Sequence, residues 1–152
     1  MILDAADKEI LYHDPECTLK VIFTTYEEVG HGASQVPAID ELLAVDMGCI
    51  GTDLSCTEEQ VSICAKDGSG PYDYKMVSKL IELAKKEEIN YSVDIYPFYS
   101  SDASAALRGG ADIKGALIGP GIHASHGMER THIEGIINTI KLVESYIDNI
   151  NK

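Results

Sequence analysis

The sequence is poor in basic residues, with 12 Lys and Arg against 25 Asp and Glu and a formal net charge of -13. Such a balance argues against binding nucleic-acid phosphates or an anionic membrane surface by charge attraction. The chain also lacks any apolar run approaching the roughly 18 residues that a membrane-spanning helix needs, which excludes a membrane segment. These absences favour a protein that handles cations or neutral molecules.

The four cysteines, Cys17, Cys49, Cys56 and Cys64, are not spaced as CxxC, and no signal peptide precedes them. We therefore expect reduced thiols in a cytoplasmic protein, acting mainly as small buried apolar side chains. A cysteine hydrolase built on Cys49 or Cys64 is an alternative, but it needs an activated thiolate in a polar setting. Cys64 falls in a predicted buried strand and neither cysteine has a histidine nearby in sequence, which disfavours this alternative.

The composition, with 45% apolar and 24% charged residues, is that of one ordinary globular domain over residues 1–152. Runs rich in β-branched and aromatic residues predict strands at 18–26, 41–48, 59–67, 91–98 and 113–121, the last ending in a Gly-Pro-Gly turn. In the second half of the chain the predicted strands alternate with helical patterns, which implies parallel pairing there. The first strands are expected to pair antiparallel. The predicted fold class is α/β, a mixed and mostly parallel sheet with flanking helices.

Three helices are predicted from apolar periodicity and capping residues. The first begins after Asp73 at a plausible N-cap and runs to about Glu88, and the second, at 100–107, begins with serine and aspartate and stops at a Gly-Gly pair. The third, at 132–147, is expected to present one apolar face formed by Ile133, Ile136, Ile137, Ile140, Val143 and Ile147.

Polar side chains gather where the predicted strands end and loops begin, which is where function concentrates in such folds. These candidates are Glu27 and Glu28 after the first strand, Asp46 at the end of the second, Asp102 at the head of the short helix, and His123 and His126 in the loop before the last helix. Each has an ordinary structural explanation, since surface glutamates, capping aspartates and exposed loop histidines are all common.

Considered together, the candidates match a metal-dependent hydrolytic site. Carboxylates and imidazoles are ligands for Zn²⁺, Mn²⁺ or Co²⁺, and a metal-activated water also needs a base to accept its proton. Adjacent glutamates can divide this work, which predicts Glu27 as the base and Glu28 as a ligand.

Five segments of the chain resemble the binuclear zinc aminopeptidases, the family that includes glutamyl aminopeptidase, the tetrahedral aminopeptidases and the endoglucanase-M type. They occur in the family's order from about residue 18 onward: "FTTYEEVGHGAS", "AVDMG", "KDGSGPYD", "SSDASAALRGG" and "GPGIHASHGMERTH". The resemblance implies the carboxyl-terminal portion of a zinc-peptidase (phosphorylase/hydrolase-like) catalytic domain.

The resemblance also implies roles for individual residues. Glu27 falls on the family's general base, Glu28 on a ligand of one metal, and Asp46 on a ligand of the other. His126, within "SHGME", best fits the loop histidine that completes the site, with His123 as the runner-up. The implied cofactor is a divalent metal, most of all Zn²⁺, with Co²⁺ or Mn²⁺ as alternatives.

Asp102 matches a supporting group near the site, whereas two further metal ligands of the family lack a counterpart. Asp4 lies only 23 positions before Glu27, too close for the bridging aspartate, and lacks the family's neighbouring residues. His13 is likewise too close to the glutamate pair to be the upstream histidine. The sequence therefore predicts that this chain binds one divalent ion or none.

The function predicted from this pattern is a metal-dependent aminopeptidase-like hydrolase that releases amino-terminal residues from peptides, with weak or no activity as this chain alone. The alternative is a non-catalytic, truncated or degenerate domain that serves as an oligomerising or regulatory binding module. A sheet without its upstream strands would leave an unpaired edge, and such edges invite pairing with another chain. We therefore expect peptide substrates and a homo-oligomer.

Overall fold

A computed structural model describes residues 17–150 of the chain. The strands, in chain order, are β1 (Glu41–Val45), β2 (Gly48–Cys49), β3 (Val61–Asp67), β4 (Gly70–Pro71), β5 (Tyr91–Tyr96) and β6 (Lys114–Ile122). The α-helices of this part of the chain are α1 (Tyr74–Lys86), α2 (Asp102–Arg108) and α3 (Ile133–Asp148). Asp4 and His13, the rejected candidates for the upstream ligands, lie outside the described residues.

The six strands form one mixed sheet with β6 and β3 as its antiparallel central pair. β1 and β2 run parallel to β6 on one side, and β5 runs parallel to β3 on the other. The predicted α/β class with a mixed, mostly parallel sheet is thus confirmed. The predicted pairing scheme is wrong in detail, because the early strands β1 and β3 are separated by β6, the last strand of the chain.

The first predicted strand, at 18–26, is not a strand. Residues 17–24 have no regular secondary structure, and Val21, Ile22 and Phe23 are 49%, 42% and 72% exposed. A β-rich sequence forms a strand only when a neighbouring strand completes its hydrogen bonds and covers its side chains. Within residues 17–150 this segment has no such partner.

The Gly-Pro-Gly sequence near the end of β6 does not form the predicted turn, because the strand continues through it to Ile122. A Cβ atom on Gly121 would lie 2.1 Å from the carbonyl oxygen of Thr57, so this glycine allows a close backbone approach. Pro120 remains in the ladder opposite Val61.

Helices α1 and α3 pack against each other and against the central strands β3 and β6, while α2 packs against β1 and β6. The fully buried residues Ile63, Leu117 and Ile118 of the sheet meet Leu80 of α1 and Leu142 of α3 in one apolar core. Within residues 17–150, none of the helices has the length and apolar character needed to cross a bilayer.

The predicted apolar face of α3 is not the face that the helix buries. The buried positions of α3 are Gly135, Asn138, Thr139, Leu142 and Tyr146. Ile133, the first residue of the predicted face, is 60% exposed. Close packing against residues 58 and 59 orients the helix about its axis. A Cβ on Gly135 would lie 2.3 Å from the Glu58 carbonyl oxygen, and Asn138 Nδ2 donates to the Glu59 carbonyl oxygen at 2.9 Å.

The N-cap predicted for the first helix is confirmed, and it supports a testable expectation. The Asp73 carboxylate accepts a hydrogen bond from the Met76 backbone N–H at 2.9 Å. We expect Asp73→Ala to lower the free energy of unfolding by about 1 kcal/mol, because an amide of the first turn loses its partner. For a chain of this size that is a fall of about 2–4 °C in Tm by calorimetry.

The Asp73→Asn variant is the matched control, because its side-chain oxygen can still cap the helix. Equal Tm values for the alanine variant and the wild type would contradict the assigned capping role.

Candidate active site

A cavity of about 300 Å³ opens where several loops meet beyond the carboxyl end of β1. Its polar lining consists of Glu27, Glu28, Asp46, Tyr99, Ser100, His126 and Glu129. Met47, Phe98 and Ile122 supply apolar lining, and Phe98 is fully exposed. The cavity therefore brings carboxylates, an imidazole and an apolar wall together from four separate stretches of the chain.

The adjacent glutamates occupy a single 3-10 turn, Glu27–Val29, instead of the end of a strand. Gly30 closes the turn in the left-handed region with φ 75°, and its N–H donates to the Glu27 carbonyl oxygen at 2.7 Å. This tight turn allows both neighbouring carboxylates to face the cavity. Glu27 is partly buried, whereas Glu28 is exposed.

Asp46 lies where the chain leaves the sheet between β1 and β2, so the single strand predicted at 41–48 is interrupted there. Its N–H donates to the Ile118 carbonyl oxygen at 2.9 Å. The backbone of Asp46 passes directly over Gly119, where a Cβ atom would lie 2.3 Å from the Asp46 carbonyl oxygen. Gly119 therefore sets how closely Asp46 approaches β6.

The two candidate histidines have different surroundings. His126 lines the cavity, and its Nε2 atom is 3.3 Å from Oε2 of Glu28. His123 instead closes the base of the loop, where its Nδ1 accepts a hydrogen bond from Nη2 of Arg130 at 3.2 Å. Of these two alternatives, His126 is the histidine that lines the cavity, and its role as a ligand stays a prediction.

Asp102 is the first residue of α2 and stands behind the glutamate turn. The helix is capped by the neighbouring Ser101, whose hydroxyl accepts from Ser104 N–H, so Asp102 is not needed as a cap. A Cβ on Gly32 would lie 2.3 Å from the Asp102 carboxylate and 3.0 Å from the Cα atom of Glu27. The Asp102 carboxylate therefore lies close against Gly32, next to the backbone of Glu27, which fits a supporting position beside the cavity.

The cavity concentrates negative charge. Burial raises the pKa of Glu27, and the carboxylates of Asp46, Asp102 and Glu28 raise it further, while His126 lowers it. Burial also raises the pKa of Asp46 against the lowering effect of the Tyr99 hydroxyl, and Asp102, Glu28 and Glu129 add to the increase. Both groups bind protons more tightly in the folded chain, so they cost stability at neutral pH and cost less as the pH falls.

A bound cation would relieve this repulsion, and the oxygen and nitrogen donors are of the types that hold Zn²⁺, Co²⁺ or Mn²⁺. The residues therefore fit a divalent metal by donor chemistry and by charge. In the part of the chain that the structure describes, no three His, Cys, Asp or Glu side chains are already gathered closely enough to hold an ion.

Tyr99 and Glu129 are cavity residues that the sequence interpretation did not single out. Glu129 had a detectable signal, because it follows His126 by three positions in the segment that carried the resemblance. Tyr99 had none, because its side-chain hydrogen bond joins the loop after β5 to Asp46, a residue far away in sequence.

The alternative of a cysteine nucleophile is disfavoured by the surroundings of the thiols. Burial raises the pKa of Cys64 to about 12, and it also raises that of Cys49, which the carboxylates of Asp46 and Asp94 increase further. Neither thiol would ionise readily at neutral pH.

A larger, more open cavity of about 520 Å³ lies at the start of α3, and it is not lined by any predicted site residue.

The chain matches a known protein family and a curated relative. The model of the M42 glutamyl aminopeptidase family matches residues 1–142. The chain is 48% identical over 134 residues to the Bacillus subtilis (strain 168) protein named "Putative aminopeptidase YhfE", covering 87% of this chain and 39% of that protein. The chain thus spans well under half the length of this relative.

Solved structures show a similar fold. The Pyrococcus horikoshii TET1 peptidase, described as assembling into a tetrahedron or a large octahedral shell, matches with a TM-score of 0.71 at 24% identity over 82% of this chain and 39% of its own. The aminopeptidase APDkam598 of Desulfurococcus kamchatkensis matches with a TM-score of 0.66 at 19% identity, over 72% of this chain and 34% of its own.

Proposed function

Because the chain belongs to the M42 glutamyl aminopeptidase family, we propose that its cavity is part of the active site of a divalent-metal aminopeptidase. The reaction would be hydrolysis of the peptide bond that follows the first residue of a peptide. The observation that carries this proposal is that Glu27, Glu28, Asp46 and His126 line one cavity although they come from three separate loops.

Glu27 is proposed as the general base. It accepts a proton from the attacking water and returns it to the amine that leaves. A base works best when its pKa lies near the operating pH, and burial together with the surrounding carboxylates raises the pKa of Glu27 in that direction.

Glu28, Asp46 and His126 are proposed as metal ligands, with Zn²⁺ as the preferred ion and Co²⁺ or Mn²⁺ as substitutes. A bound divalent ion supplies polarisation of the water and of the scissile carbonyl. The chain's own contribution is to orient these donors, with Glu28 and His126 already 3.3 Å apart. Asp102 supports the glutamate turn from behind, and His123 stabilises the base of the loop at 123–130 through its bond with Arg130.

We propose that the isolated chain binds at most one divalent ion, weakly, and cleaves peptides slowly or not at all. Two cations about 3.5–4 Å apart repel strongly unless a shared carboxylate lies between them. None of Glu28, Asp46 and His126 matches the family's bridging aspartate, for which the sequence offers no accepted counterpart.

Peptide substrates and self-association are proposed by analogy with the related peptidases, and reduced cysteines fit a cytoplasmic protein. The carboxylates and imidazole around one cavity favour a hydrolytic site over a non-catalytic binding module, because a scaffold has no need to accumulate mutually repelling acids there.

Divalent binding to the full chain tests the proposal. We expect Glu28→Gln, Asp46→Asn and His126→Gln each to weaken Zn²⁺ or Co²⁺ binding at least about tenfold in calorimetric titrations, which corresponds to about 1.4 kcal/mol. Glu27→Gln is the matched control, because it changes the adjacent carboxylate of the same cavity and should weaken binding much less.

The same variants separate binding from catalysis. Any measurable cleavage of an amino-acid p-nitroanilide with added metal should fall about 10²- to 10⁴-fold in Glu27→Gln, which removes the base. Two tight sites on the wild-type chain, or equal losses of affinity in the position 27 and 28 variants, would contradict the proposed assignment.

A further inference from the structure

The orientation of His126 depends on its backbone, because its side chain is 73% exposed and has little packing to hold it. It projects from a loop of residues 123–130, which we call the histidine loop. An exposed imidazole on a mobile backbone would sample many positions. It would then lie near the Glu28 carboxylate for only a small fraction of the time. Something in the loop must therefore restrict the backbone at His126.

The backbone at His126 is in the left-handed region, which residues other than glycine rarely adopt. His126 has φ 60°, and Ala124, two positions earlier, has φ 58°. Left-handed residues that are not glycine persist only when their surroundings hold them, and they concentrate at functional sites. The histidine loop contains two of them within three positions.

The base and the centre of the loop are held by main-chain hydrogen bonds. His123 N–H donates to the Arg130 carbonyl oxygen at 2.9 Å, and Arg130 N–H donates back at 3.2 Å. Gly127 N–H donates to the Ala124 carbonyl oxygen at 2.9 Å. These bonds close the loop but do not engage the amide of His126.

The amide of His126 is engaged by a side chain, since its N–H donates to Oε1 of Glu129 at 3.1 Å. Hydrogen bonds from a backbone N–H to a carboxylate are stronger than bonds between neutral groups. Glu129 also lines the cavity, close to the residues of the proposed site.

We propose that Glu129 is a positioning residue, whose carboxylate holds the His126 backbone in its left-handed conformation and so directs the imidazole towards Glu28. This role rests on the proposed function, because it affects metal binding only if His126 is a ligand. A competing role is purely electrostatic, in which the negative charge of Glu129 attracts the cation without fixing the loop.

Two substitutions distinguish these roles. Glu129→Gln removes the charge but keeps an oxygen that can accept the His126 N–H, whereas Glu129→Ala removes both. A positioning role predicts that the glutamine variant, which keeps a weaker bond to the His126 N–H, stays much closer to the wild type than the alanine variant does. An electrostatic role predicts the same loss in both variants.

The first readout needs no metal. In the ¹⁵N-labelled chain, we expect the amide proton of His126 to resonate downfield in the wild type and in Glu129→Gln, and to move towards its random-coil position in Glu129→Ala. Glu134→Ala is the matched control for loss of an acidic side chain, because Glu134 is exposed on α3 outside the cavity. An unmoved His126 amide in Glu129→Ala would overturn the proposal.

The second readout is Co²⁺ affinity together with the visible absorption of the bound ion. We expect Glu129→Ala to bind about tenfold more weakly with an altered spectrum, and Glu129→Gln to retain both affinity and spectrum. Equal weakening in the two variants would overturn the positioning role in favour of charge. If the wild-type chain alone binds no Co²⁺, an outcome that binding of at most one ion allows, the amide measurement by itself decides the role of Glu129 in the loop.

Discussion

Gly119→Ala is expected to lower the free energy of unfolding by about 3 kcal/mol or more, or to prevent folding, because β6 cannot accept a side chain there. A Cβ at this position would lie 2.3 Å from the carbonyl oxygen of Asp46 and 2.7 Å from the Cα atom of Met47. Both atoms belong to the backbone, so relief requires moving the chain between β1 and β2. Denaturation by urea, followed by circular dichroism, measures the loss.

Gly115→Ala is the matched control in the same strand. Its Cβ would meet Ala103 Cβ at 3.4 Å and Leu107 Cδ1 at 3.6 Å, which are ordinary contacts with side chains. Neither glycine has a positive φ, so backbone strain does not separate the two variants. We expect the Gly115 variant to stay within about 1 kcal/mol of the wild type, and similar losses at the two positions would contradict the steric explanation.

The Gly119 variant also tests how the site depends on the sheet. If the variant folds, the relief of the clash displaces the backbone of Asp46, and divalent binding should fall together with stability. Preserved stability with normal metal affinity would show that β6 and Asp46 approach each other less closely than the structure indicates.

Asp67→Ala is the second change for which we expect a large loss of stability. Asp67 is completely buried, and its carboxylate accepts hydrogen bonds from the Ser69 N–H at 2.7 Å, from the Tyr72 hydroxyl at 2.7 Å and from the Ser104 hydroxyl. Alanine would leave the buried Tyr72 and Ser104 hydroxyls and the partly exposed Ser69 N–H without this acceptor, at a cost of about 3 kcal/mol or more in unfolding free energy. Urea denaturation again provides the measurement.

Asp112→Ala, at an exposed position before β6, controls for the general loss of an acidic residue. Asp67→Asn should lie between the wild type and the alanine variant, because one oxygen remains while the amide group adds donors that need partners. A loss below about 1 kcal/mol for Asp67→Ala would mean that the buried donors find other acceptors.

The Asp67 network also connects the core to the candidate site. The Tyr72 hydroxyl that bonds to Asp67 also bonds to Ser101, the cap of the helix that begins with Asp102, at 2.7 Å. The adjacent Gly68 N–H donates to the carbonyl oxygen of Tyr99, a cavity residue, at 2.8 Å. Hydrogen bonds therefore join the surroundings of Asp67 to the helix of Asp102 and to the loop of Tyr99.

Much of the fold could be predicted from sequence because its signals are local. The periodicity and N-cap of α1, the position of β5 and the Gly-Gly end of α2 each depend on residues within about one or two turns of chain. The site candidates could be found for a similar reason, since polar residues at the ends of apolar runs are visible in sequence. Their roles as base and ligands stay predictions.

The sequence by itself determined the α/β class, most helix and strand positions, and which acids and histidines were candidates for the site. Only the tertiary structure decided that residues 18–26 lack a strand partner, that Gly-Pro-Gly stays within β6, that α3 buries Leu142 and Tyr146, and that His126 instead of His123 faces Glu28. Local propensities are set by neighbours in the chain, whereas strand pairing, the buried face of a helix and the convergence of loops depend on residues far apart in sequence, whose contacts exist only after folding.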